Sequence, residues 1–79
     1  MTYKVFVAIK TELGKAEDVR KRLKTQPLVK TACTVYSGPY DVVLVIEVLG
    51  LEEYQKFALY TLPKISGIDD YESFIAIEA

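Results

Sequence analysis

Hydrophobic and polar residues alternate at the start of the chain, over residues 3–11, which read YKVFVAIKT. In an extended strand this alternation separates two faces, an apolar one with Val5, Val7 and Ile9 and a mixed one with Lys4, Phe6, Ala8 and Lys10. Over residues 15–26 the apolar positions recur instead at helical spacing, and Pro27 cannot continue a helix. The pattern therefore predicts a strand over 3–11 and a helix over 15–26.

Two more strand-like segments follow, on either side of a glycine-proline turn. Residues 28–37 are rich in β-branched residues and predict a second strand. The turn signal SGPY at 37–40 precedes residues 41–49, which predict a third strand. This third strand is apolar at both odd and even positions, from Val42 to Ile46, which distinguishes it from the first.

The last third of the chain predicts one more helix and one more strand. Gly50 breaks the third strand, and residues 51–62 return to helical spacing. The side chains predicted to face inward from this helix are Leu51, Tyr54, Phe57, Ala58 and Leu62. Pro63 should end the helix or distort its last turn, because proline has no backbone N–H. After a loop at 66–67, residues 68–78 predict a fourth strand.

The predicted order β-α-β-β-α-β is that of a ferredoxin-like α+β sandwich, formed by residues 1–79 as a single domain. The segments YKVFVAIKT and YDVVLVIEV align without a gap, and each is followed by a glycine-marked helix and a strand, which makes a crude internal repeat. Right-handed crossovers place both helices on one face of a four-stranded sheet, with strands one and three in the middle.

The third strand supplies apolar residues to both faces of that sheet. The residues expected to face the helices are Val42, Leu44, Ile46 and Val48. The opposite face carries Phe6, Ala8, Val43 and Val45, which would meet water in a monomer. An antiparallel sheet with one solvated face normally has polar residues there. We therefore expect a second copy of the chain to cover this face, as a homodimer.

Composition and net charge limit the kinds of partner that the chain is expected to bind. Hydrophobic residues make up 51% of the chain, a high value for a lone small domain, which agrees with an apolar interface. The net charge of -1 argues against a direct nucleic-acid surface. No apolar segment approaches the roughly 20 residues of a membrane span, and the first residues lack the layout of a signal peptide. These features predict a soluble cytoplasmic protein without a membrane contact.

Few residues are suited to catalysis or to metal binding. The chain has no histidine and a single cysteine, Cys33, which is expected to pack in the core. Adjacent acids at 52–53 and at 69–70 point apart on a helix or a strand, and the scattered glycines form no phosphate-binding loop. We therefore predict no catalytic residue, no metal site and no cofactor.

Asp41, at the start of the third strand, has two interpretations. It can cap the turn or stand as a solvated strand end. Alternatively, it can bind a ligand, because alternation gives it the same side as Val45, towards the expected partner. The hydroxyls of Ser37 and Tyr40 and the N–H of Gly38 are its neighbours in sequence. A carboxylate beside such donors suits a zwitterion, with the ammonium group on Asp41 and the carboxylate on the donors.

Two segments of the chain resemble the effector-binding domain, or RAM domain, of the Lrp/AsnC (feast/famine) transcription regulators. They are VYSGPYDVVLVIEV and KISGIDDYESFIAIE. The family pattern is a glycine turn ending in an aspartate, a hydrophobic strand, a helix, and a Gly-Val or Gly-Ile step into a last strand with a hydroxyl residue. The resemblance covers essentially the whole chain, and the helix placements of the family agree with those predicted above.

The resemblance implies an assembly and a ligand site. Domains of this family pair sheet to sheet as dimeric α/β barrels and often assemble into octamers, as tetramers of dimers. They bind amino acids or related small metabolites at a subunit interface, between dimers, near the glycine-aspartate turn. Position by position, Gly38, Tyr40 and Asp41 match that turn, and Ser73 stands where the family usually has threonine. Together with Ser37, these residues form the predicted ligand site.

Full-length regulators of the family carry an N-terminal helix-turn-helix domain, whereas here Met1 leads directly into the first strand. The resemblance thus implies a stand-alone module that binds an effector, oligomerises, and modulates transcription with a full-length regulator as its partner. Two alternatives stay open. One is a small cofactor-free dimeric α/β-barrel enzyme of the monooxygenase or isomerase type. The other is a purely structural partner of a DNA-binding homologue.

Overall fold

A computed structural model describes residues 2–77, and its elements follow the predicted order. The strands are β1 (Tyr3–Thr11), β2 (Val29–Thr34), β3 (Val42–Val48) and β4 (Ile68–Ile77), and the helices are α1 (Ala16–Lys24) and α2 (Leu51–Lys56). The strand order is β2-β3-β1-β4, and every neighbouring pair is antiparallel. This is the ferredoxin-like α+β fold, so the predicted fold class is confirmed. Residue 78, the predicted end of the fourth strand, lies outside the described residues.

The hydrophobic core lies between the sheet and the two helices. Alternate residues of the two central strands are fully buried, with 0% exposed surface: Val5, Val7, Ile9, Val42, Leu44 and Ile46. Val19 and Leu23 of α1 are equally buried, because they share one stripe of the helix. The prediction that these strand positions face the helices is confirmed.

The second strand is shorter than predicted. β2 ends at Thr34, and residues 35–41 form a loop in which Ser37 has a φ of +65°. A left-handed backbone cannot continue a strand. The N–H of Val35 donates to the carbonyl oxygen of Asp41 at 2.9 Å and closes this loop. The predicted extension of the strand to residue 37 is therefore wrong.

Pro63 distorts the second helix, as predicted. α2 passes into a π-helical turn (Phe57–Thr61) and then a 3-10 turn (Leu62–Lys64), because Pro63 has no N–H to donate to the preceding turn. Three of the predicted inward side chains are buried, namely Tyr54, Phe57 and Leu62. Leu51, also predicted to face inward, is 40% exposed at the first position of the helix. Within residues 2–77 no helix has both the length and the apolar character needed to cross a membrane.

Cys33 is on the surface rather than in the core. It is opposite Val43 in the β2–β3 pair and is exposed, on the sheet face away from the helices. The preceding residue, Ala32, points to the helices and is 9% exposed. The expectation that Cys33 packs in the core is wrong, because strand alternation gives the inner side to Ala32.

Candidate functional site

The backbone of Asp41 is held at the end of the two central strands. Its N–H donates to the carbonyl oxygen of Ile9 at 2.8 Å, and its own carbonyl oxygen accepts the N–H of Val35 at 2.9 Å. The first bond extends the β1–β3 pairing by one step before Val42, and the second closes the loop from β2. The backbone that carries the Asp41 side chain is therefore held in place by two hydrogen bonds.

The carboxylate of Asp41 is directed at the end of β1. Its Oδ2 accepts a hydrogen bond from the Thr11 N–H at 2.9 Å and another from the Thr11 hydroxyl at 3.2 Å. Thr11 is 8% exposed, so its polar groups need a partner in the protein. Alternation with Val45 does not decide the direction of this side chain, because Asp41 precedes the first residue of β3. Among residues 2–77, Oδ1 has no hydrogen-bond partner.

A cavity of about 560 Å³, which we call the loop cavity, opens beside Asp41, between the end of β1, the β1–α1 loop and the start of β4. Its charged lining residues are Lys10, Glu12, Asp41 and Asp69. Over the described residues of the lining, one positive and three negative groups give a formal charge of -2. Such a lining favours a ligand with an ammonium group, and Lys10 offers a partner for a carboxylate. Within residues 2–77 no cluster of acidic, cysteine or histidine side chains is arranged to hold a metal ion.

Gly67 holds the β1–α1 loop against the start of β4. Its carbonyl oxygen accepts the N–H of Glu12 at 2.8 Å, and its φ of +98° is in the left-handed region. A Cβ at this position would lie 3.1 Å from both Lys15 Cβ and Val19 Cγ2. The backbone conformation therefore favours glycine here and a Cβ would be crowded, while the Gly67 carbonyl oxygen holds Glu12, which lines the loop cavity.

Gly67→Ala is expected to lower the free energy of unfolding by about 1 to 3 kcal/mol, because alanine is strained at this φ and its methyl group crowds Val19. Urea denaturation followed by circular dichroism measures the change. Gly38→Ala is the matched control, since a Cβ at Gly38 would meet nothing within 4 Å. Equal losses in the two variants would contradict the packing argument.

Tyr40, a predicted ligand residue, is hydrogen-bonded to β4. Its hydroxyl donates to Glu72 Oε2, and this bond raises the pKa of Tyr40 above its usual value. Glu72 is opposite Ala8, so it lies on the sheet face away from the helices. Ser37 and Gly38 are exposed in the loop. None of the predicted residues in 37–40 lines the loop cavity.

Ser73, the last predicted ligand residue, lies on the helix side of the sheet. It is opposite Val7 in the β1–β4 pair, and its hydroxyl shares a hydrogen bond with the hydroxyl of Tyr54 on α2. Burial raises the pKa of Tyr54, while the bond to Ser73 acts in the opposite direction. Ser73 therefore occupies a packed position under α2, and it is separate from the loop cavity.

The five predicted ligand residues thus fall in three places, and only Asp41 lines the loop cavity. The sequence did not assign Lys10, Thr11 and Asp69 to a ligand site. A signal was available for Thr11, because it ends the first strand and antiparallel pairing brings that end to the start of the third. No comparable signal exists for Asp69, whose place depends on the path of the loop before β4.

The sheet face away from the helices, which we call the outer face, has an apolar centre and charged ends. Its central residues are Phe6, Ala8, Val43, Val45 and Phe74. Phe6 is 38% exposed, and Phe74, directly opposite it, is 54% exposed. The charged residues at the two ends are Lys4 and Glu47, and Lys10 and Asp70, and Glu72 lies on the edge strand β4 opposite Ala8. An apolar centre with a polar rim is the usual anatomy of a protein interface, and Phe74 adds an aromatic residue to the four that the sequence suggested.

Comparison with known proteins shows what the chain is similar to. The family model described as the Lrp/AsnC ligand binding domain matches residues 4–79. Among solved structures, a hypothetical protein from Pyrococcus horikoshii is 30% identical, with a TM-score of 0.89, over 98% of this chain and 92% of that chain. The search of curated proteins gave no match.

Two larger proteins share the fold at lower identity. AsnC from E. coli is 15% identical, with a TM-score of 0.86, over 98% of this chain and 52% of that chain. The transcriptional regulator NMB0573 from Neisseria meningitidis, in complex with L-Met, is 18% identical, with a TM-score of 0.82, over 96% of this chain and 50% of that chain. At these identities the likeness shows the fold alone.

Proposed function

The chain belongs to the family of Lrp/AsnC ligand-binding domains, and we propose that it binds an amino acid or a related zwitterionic metabolite in the loop cavity. The observation that carries this proposal is Oδ1 of Asp41, which has no hydrogen-bond partner among residues 2–77 and lies in a cavity whose described lining includes three carboxylates and one ammonium group. Because Thr11 binds Oδ2, an ammonium group of the ligand can bind Oδ1 without breaking that contact.

The two charged ends of such a ligand match different groups of the cavity. Asp41 and Asp69 attract the ammonium group, and Lys10 pairs with the carboxylate. Because acidic groups outnumber Lys10, a ligand side chain with a positive charge gains attraction and one with a negative charge is repelled. Basic amino acids should therefore bind more tightly than acidic ones. The L-Met complex of the Neisseria meningitidis regulator supports amino acids as the ligand class.

The proposed function includes self-association through the outer face. Two copies pair as a homodimer, and the homodimers assemble further, as octamers. The apolar centre of the outer face, with Phe6 and Phe74 exposed in a single chain, supports the first step. A mixed assembly with a full-length regulator would connect ligand binding to transcription.

We propose binding rather than catalysis as the activity of the chain. Tyr40 is a predicted ligand residue, and Tyr54 contacts the predicted ligand residue Ser73. Both tyrosines have raised pKa values. The hydroxyl of Tyr40 is hydrogen-bonded to Glu72, and that of Tyr54 to Ser73. Both hydroxyls therefore stay protonated at neutral pH, which makes them poor general bases. The cofactor-free enzyme has no comparable observation in its favour.

Asp41→Asn is expected to abolish the thermal stabilisation given by the amino acid that the wild-type chain binds. A thermal-shift screen of the twenty amino acids identifies that ligand. At ten times Kd it should stabilise the protein by about 1.4 kcal/mol and raise Tm by roughly 6 °C or more. Asparagine keeps a carbonyl oxygen for Thr11 but removes the charge, so a lost shift reports on the charge of Asp41.

Asp18→Asn is the matched control, because Asp18 lies in the first turn of α1 and does not line the loop cavity. This variant should keep the full ligand-induced rise in Tm. A full ligand-induced rise in Tm in the Asp41→Asn variant would show that Asp41 does not bind the ligand. A wild-type chain that none of the twenty amino acids stabilises would contradict the ligand class.

A further inference from the structure

A second cavity, of about 360 Å³, lies between the α1–β2 connection and one side of the second helix, and we call it the helix groove. Its lining includes Pro27, Leu28, Glu53, Lys56, Phe57 and Tyr60. Within the part of the chain that the structure describes, it shares no lining residue with the loop cavity. The α1–β2 connection leads into the start of β2, which pairs with the end of β3, whereas the loop cavity lies at the start of β3. The two cavities are therefore at opposite ends of the sheet.

The walls of the helix groove are mainly apolar. Lys56, Phe57 and Tyr60 follow the spacing of one helical stripe, so their side chains lie on the same side of the second helix. Phe57 is 4% exposed and lies deep in the groove, while Tyr60 is 63% exposed and stands at its rim. Pro27 and Leu28 form the opposite wall. An apolar slot with two aromatic rings accommodates a ligand ring or a short alkyl chain.

Lys56 provides an uncommitted positive charge at the groove. Glu53, the acidic lining residue, accepts the N–H of Leu49 at 2.8 Å and so holds the segment that leads into α2. Within the described part of the chain, Lys56 has no hydrogen bond or ion pair. An ammonium group beside an apolar slot matches a ligand that joins an anionic group to an apolar body.

We propose that the helix groove is a second ligand site, which takes a small apolar carboxylate such as an aryl-substituted propionate. The ligand ring packs on Phe57 and Tyr60, and its carboxylate binds Lys56 Nζ. The volume of the groove falls within the range of small-molecule pockets, roughly 300 to 1,000 Å³. This site goes beyond the amino-acid site proposed above, because its ligand needs no ammonium group and its residues are different.

Titration of the ¹⁵N-labelled chain with 3-phenylpropionate, followed by amide correlation spectra, tests the second site. We expect saturable shift changes at the amides of Leu28, Phe57 and Tyr60. The neutral analogue 3-phenylpropanamide has the same ring and chain but no charge, so it should bind about fivefold more weakly.

Lys56→Gln is expected to weaken the binding of 3-phenylpropionate about fivefold and to leave the binding of the amide unchanged. Lys64→Gln is the matched control, because Lys64 is exposed in the 3-10 turn and does not line the groove. That variant should keep the wild-type affinity. Tyr60→Ala, at an exposed position, should weaken the binding of both ligands because it removes one wall of the groove.

Several outcomes would overturn the second site. Shift changes confined to Lys10, Thr11 and Gly14 would show that the carboxylate enters the loop cavity instead. Equal affinities of the Lys56→Gln and Lys64→Gln variants for 3-phenylpropionate would show that Lys56 makes no charge contact with the ligand. Amide shift changes that never saturate would mean that no site exists. These results leave the Asp41→Asn test untouched, so the two proposals fail separately.

Discussion

Val45→Asp is expected to convert the proposed homodimer to a monomer. Val45 lies at the centre of the outer face, opposite Phe6 on β1 and Thr31 on β2. In the dimer an aspartate there would be enclosed by apolar side chains, and each carboxylate would lose its hydration without gaining a partner. Burying an unpaired charge costs on the order of several kcal/mol, which is large against the net free energy of a small interface. The fold itself should survive, because this side chain points away from the helices.

Sedimentation velocity at several protein concentrations measures the mass of the Val45→Asp variant, and circular dichroism verifies its fold. Leu59→Asp is the matched control, since Leu59 is 66% exposed in the π-helical turn (Phe57–Thr61), in the helix layer on the other side of the sheet. The control should remain a dimer. If Val45→Asp also sediments as a dimer, the outer face is not the interface.

The two central strands are the part of the fold that follows most directly from the sequence. Their side chains alternate between faces because of backbone geometry, so the buried set in β1 and β3 depends little on the rest of the chain. Val43 and Val45 carry information about association rather than about the core. Apolar residues at positions that would face water in a single chain predict that another chain covers them. Pro63 acts just as locally, through its missing N–H, and the distorted end of the second helix was therefore predictable.

Polar contacts between distant residues are the part that the sequence did not predict. Asp41 and Thr11 are 30 positions apart, and Tyr54 and Ser73 are 19 positions apart. Which of these groups meet depends on strand register, and a bulge shifts the β1–β4 register between Lys10 and Thr11. Strand alternation can assign Asp41 to one side of a sheet. It does not predict that Thr11 binds the carboxylate and directs it towards β1.

The loop cavity and the outer face meet at Lys10. This residue is opposite Asp70 on the outer side of the β1–β4 pair, and it also lines the loop cavity beside Asp41. A partner chain that covers the outer face would therefore approach the rim of the cavity. The proposed ligand site and the proposed interface would then lie side by side, which is the arrangement that the family resemblance implies.

Leu44→Ala is expected to lower the free energy of unfolding by about 3 to 5 kcal/mol. Leu44 has 0% exposed surface and lies on the helix side of β3, opposite Val7 and Ala32. Truncation removes buried apolar atoms and leaves a cavity that the surrounding strands and helices cannot fill. A domain of this size has a total stability of about 4 to 12 kcal/mol, so the variant should lose a large part of it.

Urea denaturation at one fixed protein concentration measures this loss, because dimer formation makes the apparent stability depend on concentration. Leu49→Ala is the matched control, since it removes the same atoms from a side chain that is 75% exposed, at the end of the same segment. Its free energy of unfolding should change by less than about 0.5 kcal/mol. The difference between the two losses of unfolding free energy reports on burial, because both variants replace a leucine by alanine within the same segment of the chain. If the two leucines cost the same, Leu44 does not pack between the sheet and the helices, and the alternation that assigns Val45 to the outer face fails with it.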